Sequence, residues 1–194
     1  MKIIEPSVEL VDYIDGDEVL KKIESCGRVC YQSEPKGKPA EFVRRLIKRG
    51  HESVLEHVSL TFHIICDRAI MSELTRHRLC AFSVESTRYC KYNELTFVNP
   101  DFSEEQEHFI WLTTVKGCEN FYRKLIGNGA TPEQARAVLP LCLKSELYMT
   151  ANLREWRHIL KLRTSAKAHP QMRQVAGMIL SILKEKLPVI VEDI

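Results

Sequence analysis

A chain of 194 residues, 44% apolar and 28% charged, is long enough to bury one substantial core without disulfides, and a single domain over residues 1–194 is the default expectation. No apolar run approaches the length that crosses a bilayer, and Met1 to Pro6 lack the basic and long apolar regions of a secretory leader, so a cytoplasmic protein with no membrane partner is expected. The net charge of +2 argues against a broad nucleic-acid footprint, so a strongly cationic site has to be locally concentrated.

Lys2 to Ile4 reads as a short strand, and Gly16 to Tyr31 has helical apolar spacing through Val19, Leu20, Ile23 and Val29. A second helix follows, with Pro39 in its first turn, a stripe of Phe42, Val43, Leu46 and Ile47, and Gly50 placed to end it. Val58 to Cys66 alternates Val58, Leu60, Phe62 and Ile64 against Ser59, Thr61 and His63, as a half-buried strand does. Asp67 is placed to cap a helix carrying Ile70, Met71 and Leu74, which would deliver Arg76, His77 and Arg78 at or just beyond its end. Residues 79 to 94 keep no clean period and read as a structured loop.

Glu104 to Ile126 reads as a long helix ended by Gly127-Asn128-Gly129, and Thr131-Pro132-Glu133 starts another before Pro140. Leu143 to Thr150 reads as a strand, Leu153 to Leu162 and Pro170 to Leu187 as helices, and Val189 to Val191 as a terminal strand. No repeat or low-complexity tract interrupts the chain, and the elements add up to an α+β class.

The seven cysteines, at 26, 30, 66, 80, 90, 118 and 142, contain no CxxC pair and no histidine at zinc spacing, so they read as reduced thiols and no metal site is expected. His51-Glu52-Ser53-Val54-Leu55-Glu56-His57 invites a metalloprotease reading that its spacing rejects. Zincin histidines stand four apart, whereas six residues at ~100° each leave His51 and His57 about 120° apart around a helix. The local expectation is a capping box from Ser53 to Glu56, with His51 projecting from the preceding turn and His57 a satisfied core histidine.

Arg76, His77 and Arg78 place two permanent cations and one titratable donor in consecutive positions, so their repulsion needs carboxylates or an anionic ligand to offset it. An ion-pair cluster with Glu73 or Glu85 is an equal reading from spacing alone. Arg88, Arg136, Arg154 and Arg163 recur beside apolar residues, where a planar fork binds phosphate or carboxylate and tolerates partial desolvation. Each alone reads as a surface ion pair; together they suggest a polyanionic small ligand. The GxSxG elbow, the GxxxxGK[ST] loop and the GxGxxG fingerprint are all missing, so a dinucleotide would be held by side chains and helix ends.

The string RHRLCAFSVESTRY from Arg76 to Tyr89 resembles the signature of flavin-dependent thymidylate synthases, Arg-His-Arg, seven variable residues, then Ser. RVCYQS from Arg28, HESVLEH at 51–57 and RAVLPLCLKSELYMTANLREWRHILKLRTSAKAHPQMR at 136–173 resemble further blocks of that family, so the resemblance covers most of the chain. It implies reductive methylation of dUMP to dTMP, with methylenetetrahydrofolate as carbon donor, FAD as hydride carrier and NADPH as reductant. It implies a mainly antiparallel sheet flanked by helices, the thymidylate synthase complementing protein fold. It also implies a homotetramer with active sites between subunits.

Position by position, the resemblance implies that His51, Ser53, Arg76, His77, Arg78, Val84, Asn152, Arg154 and His158 contact FAD. It implies that Glu73, Arg76, Glu85, Ser86, Thr87, Arg88, Arg136 and Arg163 contact dUMP, and that Arg163 is catalytic, lying against the uracil ring. Glu73, Ser83 and Val84 depart from residues common in the family, glutamine, asparagine and an acid or amide respectively, and His158 stands where some relatives carry asparagine. Val84 offers only backbone groups. Apart from the resemblance, an RNA- or nucleotide-binding phosphate platform or a different flavoenzyme would use the same arginines; the first would purify colourless, and the second would be yellow but indifferent to dUMP.

Overall fold

The computed structural model of the protein describes residues 1–30, 32–35 and 37–194. In chain order its elements are β1 (Lys2–Ile4), β2 (Ser7–Leu10), α1 (Gly16–Val29), α2 (Pro39–Lys48), a 3-10 turn (Glu52–His57), β3 (Ser59–Asp67), α3 (Arg68–Leu74), β4 (Ala81–Val84) and β5 (Thr96–Val98). There follow α4 (Glu105–Gly127), α5 (Pro132–Ala135), a 3-10 turn (Arg136–Val138), β6 (Lys144–Asn152), α6 (Leu153–Arg163), α7 (Pro170–Lys186) and α8 (Pro188–Val191). One sheet has the order β2-β3-β6-β4, and β1 pairs with β5 in a separate two-stranded parallel ladder that aligns Lys2 with Thr96 and Ile4 with Val98. No helix among the described residues is long and apolar enough to cross a membrane.

The chain divides into two compact units, one of residues 1–7, 64–76 and 83–147, the other of 8–63, 77–82 and 148–194. The first unit is cored by Leu95, Phe97, Val115, Tyr122, Ala135 and Leu143, with Met1, Tyr92 and Trp111 packed around them. Two caps set its helices. The Asp67 carboxylate accepts from the Ile70 amide at 2.7 Å, and Thr131 with Gln134 forms a reciprocal capping box at the start of α5.

In the second unit, α6 lies on β3. Trp156, fully buried, donates from its indole to the Leu60 carbonyl at 3.1 Å and meets the Phe62 ring edge-on at 4.9 Å. Such ring pairs add about 0.5–1.5 kcal/mol to the burial itself. Beside them Thr61 bonds Thr150 at 3.0 Å and His63 stacks on Tyr148 at 4.7 Å; the numbers rise along β3 as they fall along β6, so these strands run antiparallel. Helices α1 and α2 approach so closely that a Cβ added at Gly27 would stand 2.9 Å from the Phe42 ring, and the Arg28 guanidinium lies over that ring at 4.4 Å. Gly50, at φ 74°, ends α2 in a Schellman turn, its amide bonding Ile47 and the His51 amide bonding Leu46.

Most expected elements form within a residue or two of their sequence limits, including the α+β class and an antiparallel main sheet. The first helix ends at Val29; Tyr31, its expected last residue, lies outside the described residues. Four readings are corrected. Residues 79–94 contain β4, too short to show a period, and Val189–Val191 form a helical turn, because Pro188 starts it and all three side chains are buried. The turn after His51 has no side-chain cap, since Glu56 turns to Arg154, so the Ser53–Glu56 box is absent. His57 is exposed and is not a core histidine.

Candidate active site

Helix α6 organises the second unit's cleft. Asn152 caps it, accepting from the Glu155 amide at 2.9 Å, and from that fixed start Arg154, Glu155, Arg157, His158 and Lys161 line a cavity of about 720 Å³ with Glu52, Glu56 and Leu79. This volume lies in the range of small-molecule and cofactor sites. Arg154 bonds Glu56 at 2.5 Å and Lys161 bonds Asp193 at 3.0 Å, and all four side chains are roughly half exposed. Exposed pairs contribute only about 0–1 kcal/mol, so exchanging a carboxylate for a pyrophosphate oxygen at Arg154 costs little. The donor set therefore fits an anionic flavin dinucleotide.

The signature histidine meets the arginine expected to be catalytic. Arg163 Nε donates to His77 Nε2 at 3.0 Å. An arginine has no acceptor to offer, so His77 Nε2 is bare and the proton of the neutral ring sits on Nδ1, 3.8 Å from a Glu155 oxygen. His77 is buried, and burial, then Arg163, then His158 push its pKa from 6.5 down to about 4. The 3.8 Å approach to Glu155 is therefore not a charged pair near neutral pH. His77, Glu155 and His158 could in principle share a cation, but Arg163 already occupies His77 Nε2 and its fixed charge opposes a dication there.

This geometry predicts that the His77 ring titrates near pH 4 in the folded protein, read from imidazole NMR shifts; a midpoint at or above 6 would contradict the acceptor assignment. The sign for stability follows. An unfolded chain binds this proton near pH 6.5 and the folded one only near 4, so stability is highest above the first value and declines between the two as pH falls.

The first unit holds the second group. After β4, Glu85 donates its amide to the Glu146 carbonyl at 2.8 Å, and a single turn closes when the Tyr89 and Cys90 amides bond the Ser86 carbonyl at 3.2 and 2.9 Å. The Ser86 hydroxyl accepts from the Arg88 amide at 3.3 Å, and Thr87, within the turn, is buried. Arg88 reaches Glu133 in the first turn of α5 at 2.9 Å, and the exposed Arg136 caps the other end of that helix.

Of the expected flavin residues, Asn152, Arg154 and His158 line the cleft, and His77 stands behind it with its ring 6.2 Å from that of His158. Arg78 is exposed, and His51 and Ser53 are exposed on their turn outside the cleft lining. Glu73, Arg76 and Val84 belong to the first unit, as do Glu85 to Arg88 and Arg136. The sequence reading passed over Arg157, 1% exposed, which bonds Asp193 at 2.6 and 2.8 Å, Glu52 at 3.0 Å and the Ile190 carbonyl. A signal existed: Arg157 falls at an apolar-stripe position of α6, between Leu153 and Leu160, and a charge there needs partners.

Residues 9–189 match the family model described as thymidylate synthase complementing protein. A probable flavin-dependent thymidylate synthase of Mycobacterium phage D29 is 34% identical over 219 residues, which cover 98% of this chain and 91% of the relative. The flavin-dependent thymidylate synthase of Corynebacterium aurimucosum is 31% identical over 194 residues, 88% of this chain and 78% of the relative. Among solved structures, the UMP/dUMP methylase PolB from Streptomyces cacaoi, bound with 5-Br dUMP, is similar at a TM-score of 0.85 and 27% identity, covering 98% of this chain and 95% of that one. With a family model spanning nearly all its length and relatives above 30% identity along most of theirs, the chain belongs to the thymidylate synthase complementing protein family, that of the flavin-dependent thymidylate synthases.

Proposed function

We propose that the protein converts dUMP to dTMP in dTMP biosynthesis, taking its carbon from methylenetetrahydrofolate and its hydride from NADPH, and releasing tetrahydrofolate. When bound, FAD supplies the hydride carrier between NADPH and the transferred carbon. The observation that carries the reading is the Arg163–His77 pair at 3.0 Å. The His77 acceptor orients the guanidinium plane, and from that position Arg163 can favour ionisation at uracil N3, raise electron density at C5 and stabilise the ring anion as it develops. No thiolate is needed. The Cys80 thiol is pushed up to about 12, by burial first and Glu155 second, and stays protonated near neutral pH.

Arg154, Asn152 and His158, with Arg76, His77, Arg78, His51, Ser53 and Val84, are proposed to hold FAD. Ser86, Thr87, Arg88 and Arg136, with Arg76 and Glu73, are proposed to hold dUMP, the single turn at Ser86 presenting its first amides and the Arg88 fork to phosphate. The chain is proposed to work as one catalytic domain, in the cytoplasm and as a homotetramer with inter-subunit sites; exposed Phe109, Ile110 and Phe121 on α4 provide apolar surface for such an assembly.

The test is spectroscopic. The purified protein should show an oxidised flavin spectrum, bleach anaerobically with NADPH, and recover colour with dTMP formation once dUMP and methylenetetrahydrofolate are added. A colourless protein, or a yellow one whose reduced form ignores dUMP, would overturn the reading. UMP belongs beside dUMP in this assay, because the similar PolB is a methylase of both.

A further inference from the structure

Glu85 opens the loop that carries Ser86, Thr87 and Arg88, and both of its carboxylate oxygens are engaged. Oε1 accepts from the Tyr92 hydroxyl at 2.8 Å and Oε2 from Lys144 Nζ at 2.9 Å. Lys144 also reaches Glu146 at 2.6 Å, directly beside the point where the Glu85 amide bonds the Glu146 carbonyl. At the far end of the loop, the Tyr92 amide donates to the hydroxyl of Tyr122, a fully buried core residue, at 3.3 Å. The segment from Glu85 to Tyr92 is thus anchored to β6 at one end and to the core at the other, and the Glu85–Tyr92 hydrogen bond ties the two ends together.

We propose that Glu85, Lys144 and Tyr92 form a staple that holds the Ser86–Arg88 turn in its nucleotide-ready shape, which makes Glu85 a positioning residue and not a dUMP ligand. The inference rests on the proposed nucleotide role of that turn. Two physical points support it. A carboxylate next to Ser86 would repel a phosphate, and Lys144, which it shares with Glu146 and whose side chain is 20% exposed against 18% for that of Glu85, offsets part of that charge where solvent screening is weak. A loop ordered before binding also spares the nucleotide the entropic cost of ordering it. The Tyr92 hydroxyl suits the role of donor, because burial first and the Glu85 bond second raise its pKa far above the ordinary phenol range.

The test uses the flavin-loaded full-length protein with Lys144→Met, Lys144→Arg and Tyr92→Phe. Without nucleotide, Lys144→Met should speed amide hydrogen exchange across residues 86–91 by about tenfold or more. It should raise KM for dUMP about tenfold, with kcat within about threefold and flavin content unchanged. Lys144→Arg should restore both values, and Tyr92→Phe, which removes one hydroxyl, should give a smaller change in the same direction. Glu85→Ala combined with Lys144→Met should be no worse than the stronger single variant, because both break one device. If Lys144→Met and Tyr92→Phe leave exchange and KM unchanged, the staple is wrong and the nucleotide reading survives. If the wild-type protein binds no dUMP while Lys144→Met still loosens the loop, the nucleotide role falls, and with it the positioning role of Glu85.

Discussion

Replacing Arg163 by alanine should lower turnover by roughly 10²-fold or more, the loss expected from its proposed role as a preorganised charge-stabilising donor. Flavin should remain bound, because Asn152, Arg154 and His158, the proposed flavin contacts that line the cleft, are untouched. A second readout accompanies the first. The Arg163 charge is one cause of the low His77 pKa, so in Arg163→Ala the His77 titration moves up from about 4 toward its ordinary 6.5, though burial keeps it below that value. Arg163→Lys retains a charge but not the planar fork fixed on His77, and should recover only part of the lost rate. Loss of FAD with otherwise normal turnover after reconstitution would contradict the catalytic assignment.

Arg157→Ala should destabilise the protein by on the order of 3 kcal/mol, a value typical of breaking a buried ion pair from one side. Three ties disappear together: to Glu52, to Asp193 and to the Ile190 carbonyl. The site is already costly, since Arg157 Nε is buried without a hydrogen-bond partner, which leaves little margin for losing the others. The Asp193 carboxyl is held well below its usual range, chiefly by its bond to Arg157 and then by Lys161. Its folded pKa is depressed, so its contribution to stability is present above the unfolded value of about 3.9 and is lost as pH falls through the folded one. Urea titrations should therefore show the gap between wild type and Arg157→Ala narrowing below about pH 4. A difference under about 0.5 kcal/mol at neutral pH would show that the clamp is decorative.

The sequence disclosed most where one local rule acts alone. The alternation from Val58 to Ile64 predicts β3 because one face of that strand is buried, and Asp67 predicts the start of α3 because its carboxylate satisfies the Ile70 amide. β2 and β5 escaped because four and three residues carry no readable period, and their pairing depends on partners far along the chain. Val189, Ile190 and Val191 misled because β-branched residues favour strands, whereas Pro188 and complete burial favour a turn of helix.

The candidate site divides in the same way. The arginines and the Arg-His-Arg string are visible as residue types, but that His77 accepts from Arg163 joins positions 86 apart in sequence. Glu85 shows the opposite difficulty: the resemblance put it among the dUMP contacts, while its two oxygens are already bound to Tyr92 and Lys144.

The tight approach of α1 to α2 bears on how this chain can diverge. A methyl group at position 27 would press on Phe42 at 2.9 Å and on Leu46 at 3.0 Å, and Phe42 also carries the Arg28 cation on its ring. Positions 27, 28 and 42 are therefore not free to drift separately. A bulkier residue at 27 calls for a smaller one at 42, and shrinking 42 leaves Arg28 with Glu24 but without its aromatic seat. In descendants of this sequence the three should change as a set, and a lineage that alters one of them first passes through a less stable intermediate.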